Sequence, residues 1–153
     1  MAEENLQLTL SVSLHAPNNA IRSRTMPVNR KYPIEELLKA CRYYAGRTGR
    51  RISFEYAMID GVNDSDGCAK ELAASLKGML CHVNLIPVNP VREAGYQKSG
   101  RERQQAFIRI LERAGITATV RRTLGADINA SCGQLRRKHL KEGGSVNAIC
   151  RTD

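Results

Sequence analysis

The chain has 153 residues, of which 42% are apolar and only 5% aromatic, so a single domain with an aliphatic core is expected. Its 24 basic and 15 acidic residues give a net charge of +9. No apolar run approaches the roughly 18 residues of a membrane-spanning helix, and the acidic amino-terminal stretch lacks the pattern of a signal peptide. We therefore expect a cytoplasmic protein without a membrane segment.

The basic residues, most of them Arg, concentrate in residues 21–51 and 91–126 and flank an acidic middle. Because the planar guanidinium group binds phosphate with two hydrogen bonds, this distribution favours a nucleic-acid partner. An ordinary Arg-rich surface explains the charge equally well. The scarcity of aromatic residues argues against a platform that stacks single-stranded bases.

Strict alternation of apolar and polar residues predicts a first strand over 7–14, and a loop is predicted at 15–19. A helix with a single apolar stripe is predicted after Pro33, ending near Gly46. The next alternating segment predicts a second strand over 51–58.

The second half of the chain continues the same order. A helix is predicted at about 66–77 and a strand at 81–86. Ser99 and Glu102 have the spacing of a capping box, which predicts that a third helix begins there. A fourth strand is predicted at 116–120.

This alternation of strands and helices predicts an α/β fold with a parallel sheet of about four strands and three crossover helices. Four strands are too few to close a barrel, so we expect a partial parallel (β/α) barrel. Residues 1–140 are predicted to form it, with a loose tail at 141–153. Ligands of such sheets bind beyond the carboxyl ends of the strands. The first strand would leave an unpaired edge, through which the chain could self-associate.

Polar residues follow two of the predicted strands. Ser13 and His15 lie at the end of the first strand, on the face opposite Leu14, where they could bind a polar ligand or simply be strand-end polar residues. Asn89 follows the third strand and is either a ligand contact or a residue of a Pro-bounded turn.

One of the five cysteines has a setting that favours chemistry. Cys132 adjoins a glycine and lies between two Arg-Arg pairs, and a positive environment lowers the pKa of a thiol and favours a nucleophilic thiolate. No spacing fixes a base beside it. No Cys-x-x-Cys pair is present, so no metal site is predicted. The others are interpreted as packing or tail residues: Cys41, Cys68, Cys81 and Cys150.

The chain also contains an ordered set of motifs over roughly residues 5–140. Together they resemble the carboxy-terminal part of a radical S-adenosylmethionine (SAM) RNA methyltransferase, of the dual-specificity subfamily that methylates C2 of adenine in 23S rRNA and tRNA. The motifs are Ser-Leu-His-Ala-Pro-Asn (13–18), Arg-Thr-Met-Pro-Val-Asn (24–29), Glu-Tyr-Ala-Met-Ile-Asp-Gly-Val-Asn-Asp (55–64), Val-Asn-Leu-Ile-Pro-Val-Asn-Pro (83–90), Thr-Val-Arg-Arg-Thr-Leu-Gly-Ala-Asp-Ile (119–128) and Cys-Gly-Gln-Leu (132–135).

The resemblance implies a role for each matched residue. Ser13, Leu14, His15 and Asn89 would bind SAM, and Cys132 would carry the methyl group as a methyl-cysteine intermediate. It also implies that a second SAM is cleaved at a 4Fe-4S cluster and that the resulting radical chemistry transfers the carbon to adenine. The basic charge then has an explanation, because rRNA and tRNA are polyanions.

The family's Cys-x-x-x-Cys-x-x-Cys cluster motif does not occur in this sequence. The resemblance therefore implies the second half of a radical SAM barrel, a truncated fragment that is inactive by itself. Two alternatives remain open at this point. One is the paralogous rRNA methyltransferase that acts on C8 of adenine, and the other is a cluster-free RNA-binding module.

Overall fold

The computed structural model describes residues 8–88 and 95–121. These residues form four strands and four α-helices: two α-helices and a short 3₁₀ helix at Pro27–Arg30 lie between the first two strands, and one helix lies between each later pair. The strands are β1 (Leu10–Ser13), β2 (Ile52–Met58), β3 (Cys81–Pro87) and β4 (Thr117–Val120), and the helices are α1 (Asn19–Thr25), α2 (Ile34–Thr48), α3 (Asp66–Leu76) and α4 (Arg101–Arg113).

The strands form one sheet in the order β1-β2-β3-β4, and every neighbouring pair is parallel. The predicted α/β fold with a four-stranded parallel sheet is therefore confirmed. Alternate residues of β2 and β3 are fully or nearly fully buried, whereas those between them are half-buried. The buried face packs against α2, α3 and α4 through an apolar core that includes Phe54, Leu72 and Phe107.

The first helix of the structure, α1, was not predicted, because the sequence indicated a loop at 15–19 and no helix before Pro33. Asn18 is the N-cap of this helix, because its side chain accepts a hydrogen bond from the backbone N–H of Ile21. The helix has seven residues and no apolar stripe, so periodicity cannot reveal it. Its buried residue is instead a charged one, Arg22.

The predicted capping box is wrong. Helix α4 begins after Gly100, and no side chain caps it. Ser99 is 1% exposed, and its hydroxyl donates to the Asp64 carboxylate at 2.7 Å. The hydroxyl thus joins the loop after β2 to the start of α4, a long-range contact that local spacing does not reveal.

Three of the cysteines, Cys41, Cys68 and Cys81, are free thiols buried in the core, as predicted. Burial raises the pKa of the Cys41 and Cys81 thiols, so both stay protonated and inert. Cys132 and Cys150 lie outside the described residues. The described residues belong to a compact unit that ends at Arg121, so the boundary predicted near residue 140 lies beyond them. No helix among them has the length and hydropathy to cross a membrane.

Candidate functional site

A row of polar side chains crosses the half-exposed face of the sheet, from the carboxyl end of β1 through the middle of β2 and β3 to β4. Ser13 of β1 pairs in register with Glu55 of β2, Glu55 with Asn84 of β3, and Asn84 with Thr119 of β4. Because residues directly opposite each other in neighbouring strands point to the same face, these four side chains form one line. In the described part of the chain, this row contains a single ionisable group, the Glu55 carboxylate.

Neighbouring donors orient the Glu55 carboxylate. The Asn84 amide donates to one oxygen at 2.8 Å, and the Ser53 hydroxyl donates to the other at 3.2 Å. Each carboxylate oxygen can accept more than one hydrogen bond, so both keep acceptor capacity toward the open face. The row therefore offers a fixed negative charge among neutral hydroxyl and amide groups.

His15 lies just beyond β1, and its backbone has a positive φ of 57°. For a residue with a side chain this left-handed conformation costs free energy, so contacts around it must stabilise it. The ring supplies one of them, because its Nδ1 accepts the backbone N–H of Ala57 at 2.9 Å. The accepting nitrogen carries no proton, so the neutral ring keeps its proton on Nε2, which can act as a hydrogen-bond donor.

Asn63, in the loop after β2, is fully buried and forms hydrogen bonds to the backbone at the ends of β1 and β2. Its amide nitrogen donates to the carbonyls of His15 and Ala57 at 2.8 and 2.7 Å. Its amide oxygen accepts the backbone N–H of Ile59 at 2.8 Å. A single side chain thus joins the ends of β1 and β2 to the loop after β2.

The environment of His15 keeps its ring neutral. Burial lowers the pKa of the imidazole below its usual 6.5, and the nearby Arg22 guanidinium lowers it further. The Glu55 carboxylate acts in the opposite direction but more weakly. At neutral pH His15 is therefore a hydrogen-bond acceptor at Nδ1 and a neutral donor at Nε2.

This shift predicts a pH-dependent stability. The folded chain binds a proton at His15 less readily than the unfolded chain does. The contribution of His15 to the free energy of unfolding is therefore complete above about pH 6.5, and it is lost as the pH falls through the pKa of His15 in the folded chain. We expect the free energy of unfolding to fall more steeply between pH 7 and 5 in the unaltered chain than in His15→Asn. Asparagine tolerates the left-handed backbone but does not titrate in this range.

Urea unfolding at several pH values measures the difference. The excess slope is limited to one proton, or about 1.4 kcal/mol per pH unit. Identical pH profiles of the two proteins would contradict the assignment of a depressed pKa to His15. A His82→Asn variant serves as the control for the loss of a histidine elsewhere on the sheet.

Three of the five predicted site residues lie within the described residues, and they are consecutive in the sequence. Ser13 is exposed on the polar row and His15 is half-buried at its edge. Leu14, between them, is fully buried in the core, and its backbone N–H donates to the Glu55 carbonyl. Asn89 and Cys132 lie outside the described residues.

Sequence reasoning missed the supporting residues of this site, Glu55, Asn63 and Arg22. Alternation already placed Glu55 on the polar face of β2, so its position was readable. Asn63 sits in a segment rich in turn residues and looked like a turn former. Among the described residues, no group of three or more His, Cys, Asp or Glu side chains could hold a metal ion.

Parallel sheets with polar groups beyond their strands occur in many α/β proteins. Comparison with solved structures shows which of these proteins the chain is similar to. The chain matches the crystal structure of a radical SAM methyltransferase from Sphaerobacter thermophilus with a TM-score of 0.82 and 57% identity, over 87% of this chain and 39% of that one. A domain of a pyruvate-formate lyase-activating enzyme from Bacteroides vulgatus matches with a TM-score of 0.61 and 25% identity, over 74% of this chain and 67% of that one. No protein-family model matches the chain.

Comparison with curated proteins identifies relatives whose names also state the substrate class, RNA. The chain is 64% identical, over 142 residues, to a probable dual-specificity RNA methyltransferase RlmN from Caldanaerobacter subterraneus. The match covers 93% of this chain and 42% of that protein, so the chain spans about two fifths of the length of the curated relatives it matches. The resemblance inferred from the motifs is thereby confirmed: the chain is homologous to part of the radical SAM RNA methyltransferases of this kind.

Proposed function

We propose that this chain supplies a SAM-binding edge and the methyl-carrying cysteine of a radical SAM methyltransferase that acts on C2 of adenine in 23S rRNA and tRNA. The observation that carries the proposal is the segment 13–15. It lies at the carboxyl edge of a parallel sheet, beside an oriented carboxylate, in a chain homologous to RNA methyltransferases.

The described side chains suit SAM as a ligand. SAM carries hydroxyl and ammonium donors and also carboxylate and adenine acceptors. The exposed Ser13 hydroxyl can accept or donate, and the neutral His15 ring donates from Nε2. The buried Leu14 anchors the two residues between the core and the edge. Asn89 comes shortly after β3 in the sequence and completes the proposed set.

Cys132 is proposed to accept the methyl group of SAM. In this step the thiolate sulfur forms a bond to the methyl carbon, and the bond between that carbon and the sulfonium sulfur breaks. S-adenosylhomocysteine leaves, and the thiol proton passes to solvent. The Arg-Arg pairs on either side of Cys132 favour the thiolate form that this displacement needs.

The family's iron–sulfur cluster motif is missing from this sequence. The sequence contains no Cys-x-x-x-Cys-x-x-Cys motif, and the described residues offer no metal-binding group. A 4Fe-4S cluster supplies the electron for radical chemistry where it is bound. We therefore assign its ligands to the part of the enzyme that this chain does not match, and propose that the chain alone does not methylate RNA.

The proposal also includes an RNA partner and a location in the cytoplasm. Ribosomal and transfer RNA are polyanions, and a chain with a net charge of +9 gains affinity for them by releasing counterions. Both RNAs are cytoplasmic in a bacterial cell, so we propose that the enzyme acts there. Strand β1 is an edge strand of the sheet that the described residues form, and it is a further candidate contact, through which isolated chains would associate.

A chimera tests the proposed function. The chain replaces the matching two fifths of the 64%-identical relative, and the product is purified and loaded with iron and sulfide without oxygen. With SAM and a reductant we expect it to convert adenosine in 23S rRNA and tRNA into 2-methyladenosine, measured by mass spectrometry of the nucleosides. The unmodified relative is the positive control.

The outcomes separate the competing functions. Formation of 8-methyladenosine would assign the chain to the C8 reaction instead. A chimera that binds RNA in a salt-sensitive manner but forms no methylated nucleoside and binds no SAM would instead identify an RNA-binding module.

A further inference from the structure

Arg22 of α1 is a charged side chain in an unexpected place, because it is only 4% exposed. A buried guanidinium is costly unless its N–H groups are paired. Within residues 8–88 and 95–121, no carboxylate forms an ion pair with it; the pair described there joins Arg103 and Asp66. The described contacts of Arg22 are hydrogen bonds to neutral groups.

These hydrogen bonds converge on the end of β1. The Arg22 Nε donates to the Leu14 carbonyl at 3.2 Å, and one terminal nitrogen approaches the Ser13 carbonyl at 3.4 Å. The other terminal nitrogen donates to the Asn29 side chain at 2.8 Å and to the Tyr32 carbonyl at 3.2 Å. The planar fork thus ties two successive carbonyls at the strand end to the segment that leads into α2.

The next residue along the chain is His15, whose positive φ requires support. Three sets of hydrogen bonds supply that support. The Asn63 amide donates to the His15 carbonyl, and the Ala57 N–H donates to the His15 ring. The Arg22 guanidinium donates to the carbonyls of the two preceding residues. The guanidinium and the imidazole are also close enough to influence each other electrostatically, and the positive charge disfavours protonation of the ring.

We infer that Arg22 is a positioning residue for the segment 13–15: it fixes the carbonyls of Ser13 and Leu14 and thereby the direction in which His15 presents Nε2. The inference rests on the proposed function only in naming SAM as the ligand of that segment. The geometric part concerns this chain alone and is measured without ligand.

Two substitutions separate the charge of Arg22 from its geometry. Arg22→Lys keeps the positive charge but loses the fork, and Arg22→Gln loses both. Arg24→Gln is the matched control, because Arg24 lies on the same helix but is exposed. All are made in the 153-residue chain labelled with ¹⁵N, and amide hydrogen exchange and the titration of the His15 ring are followed by NMR.

In both Arg22 variants we expect the amides of Leu14, His15 and Ala57 to exchange at least tenfold faster, while core amides such as that of Val83 keep their rates. The pKa of His15 should rise in Arg22→Gln and change less in Arg22→Lys. Affinity for SAM, measured by calorimetry on the chimera of the chain with its 64%-identical relative, should fall about tenfold in both variants and remain unchanged in Arg24→Gln.

Uniformly faster exchange in core and edge would overturn the inference, because Arg22 would then be a general stability residue. Edge amides that match those of the Arg24 control would overturn it as well. If neither Arg22 variant folds, Asn29→Ala decides, since it removes the acceptor of the 2.8 Å bond and should loosen the same amides by a smaller factor. An unaltered chimera of this chain with its relative that does not bind SAM contradicts the proposed function, whereas the exchange and titration results on the chain still decide the role of Arg22.

Discussion

Replacing Asn63 by Ala is expected to lower the free energy of unfolding by about 3 kcal/mol, a large loss for a single polar substitution. The truncation leaves the N–H of Ile59 without an acceptor in a fully buried site. It also removes the donors of the His15 and Ala57 carbonyls. Each buried polar group left unpaired costs about 1–3 kcal/mol, and alanine offers no replacement.

Urea unfolding followed by circular dichroism measures this loss. The control is Asn84→Ala, which removes an amide with one described side-chain hydrogen bond, to Glu55, and should cost about 1 kcal/mol. Equal losses in the two variants would show that Asn63 does not hold the strand ends together. His15 should also lose its depressed pKa in Asn63→Ala, because its backbone is no longer fixed.

Cys132→Ala is expected to abolish methylation by the chimera of this chain with its relative, with product below about a thousandth of the unaltered level. Under the proposal, alanine has no sulfur to accept the methyl group of SAM, so neither methyl transfer nor any later step occurs. The assay combines nucleoside mass spectrometry with a search for a methyl group on the peptide that contains residue 132.

Cys150→Ala is the matched control, because it removes a thiol from the same carboxy-terminal segment of the sequence. It should retain the activity of the unaltered chimera. Methylated adenosine formed by Cys132→Ala would disprove the role of Cys132 as methyl carrier while leaving the SAM-binding proposal intact. Retained SAM binding in Cys132→Ala would show that the loss is not one of folding.

The sheet was predictable because its signal is local. Alternation along residues 51–58 and 81–86 defined β2 and β3 almost to the residue, and the order of elements predicted parallel pairing. Helix α1 was missed, since seven residues with a buried arginine carry no apolar period. The capping-box prediction at Ser99 was wrong although the local spacing was correct. The Ser99 hydroxyl donates instead to Asp64, which lies 35 residues away in sequence.

The candidate site was partly predictable for the same physical reason. Ser13 and His15 were found because they follow a strand, and parallel strands bring their carboxyl ends to one edge. Nothing in the sequence shows that the His15 ring accepts the N–H of Ala57, or that Arg22 and Asn63 are buried beneath it. These contacts depend on how separate loops meet in three dimensions, which spacing along the chain does not encode.

Alternation in β2 and β3 also has an evolutionary consequence. Every second position, such as Phe54 or Val83, is constrained by the core, whereas the positions between them, such as Glu55 or Asn84, are constrained by whatever lies over the open face. The two sets share a backbone but few neighbours, so substitutions in one set should combine additively with those in the other. Such a strand can acquire a new ligand preference at its outward-facing positions without losing the stability that the inward-facing positions provide.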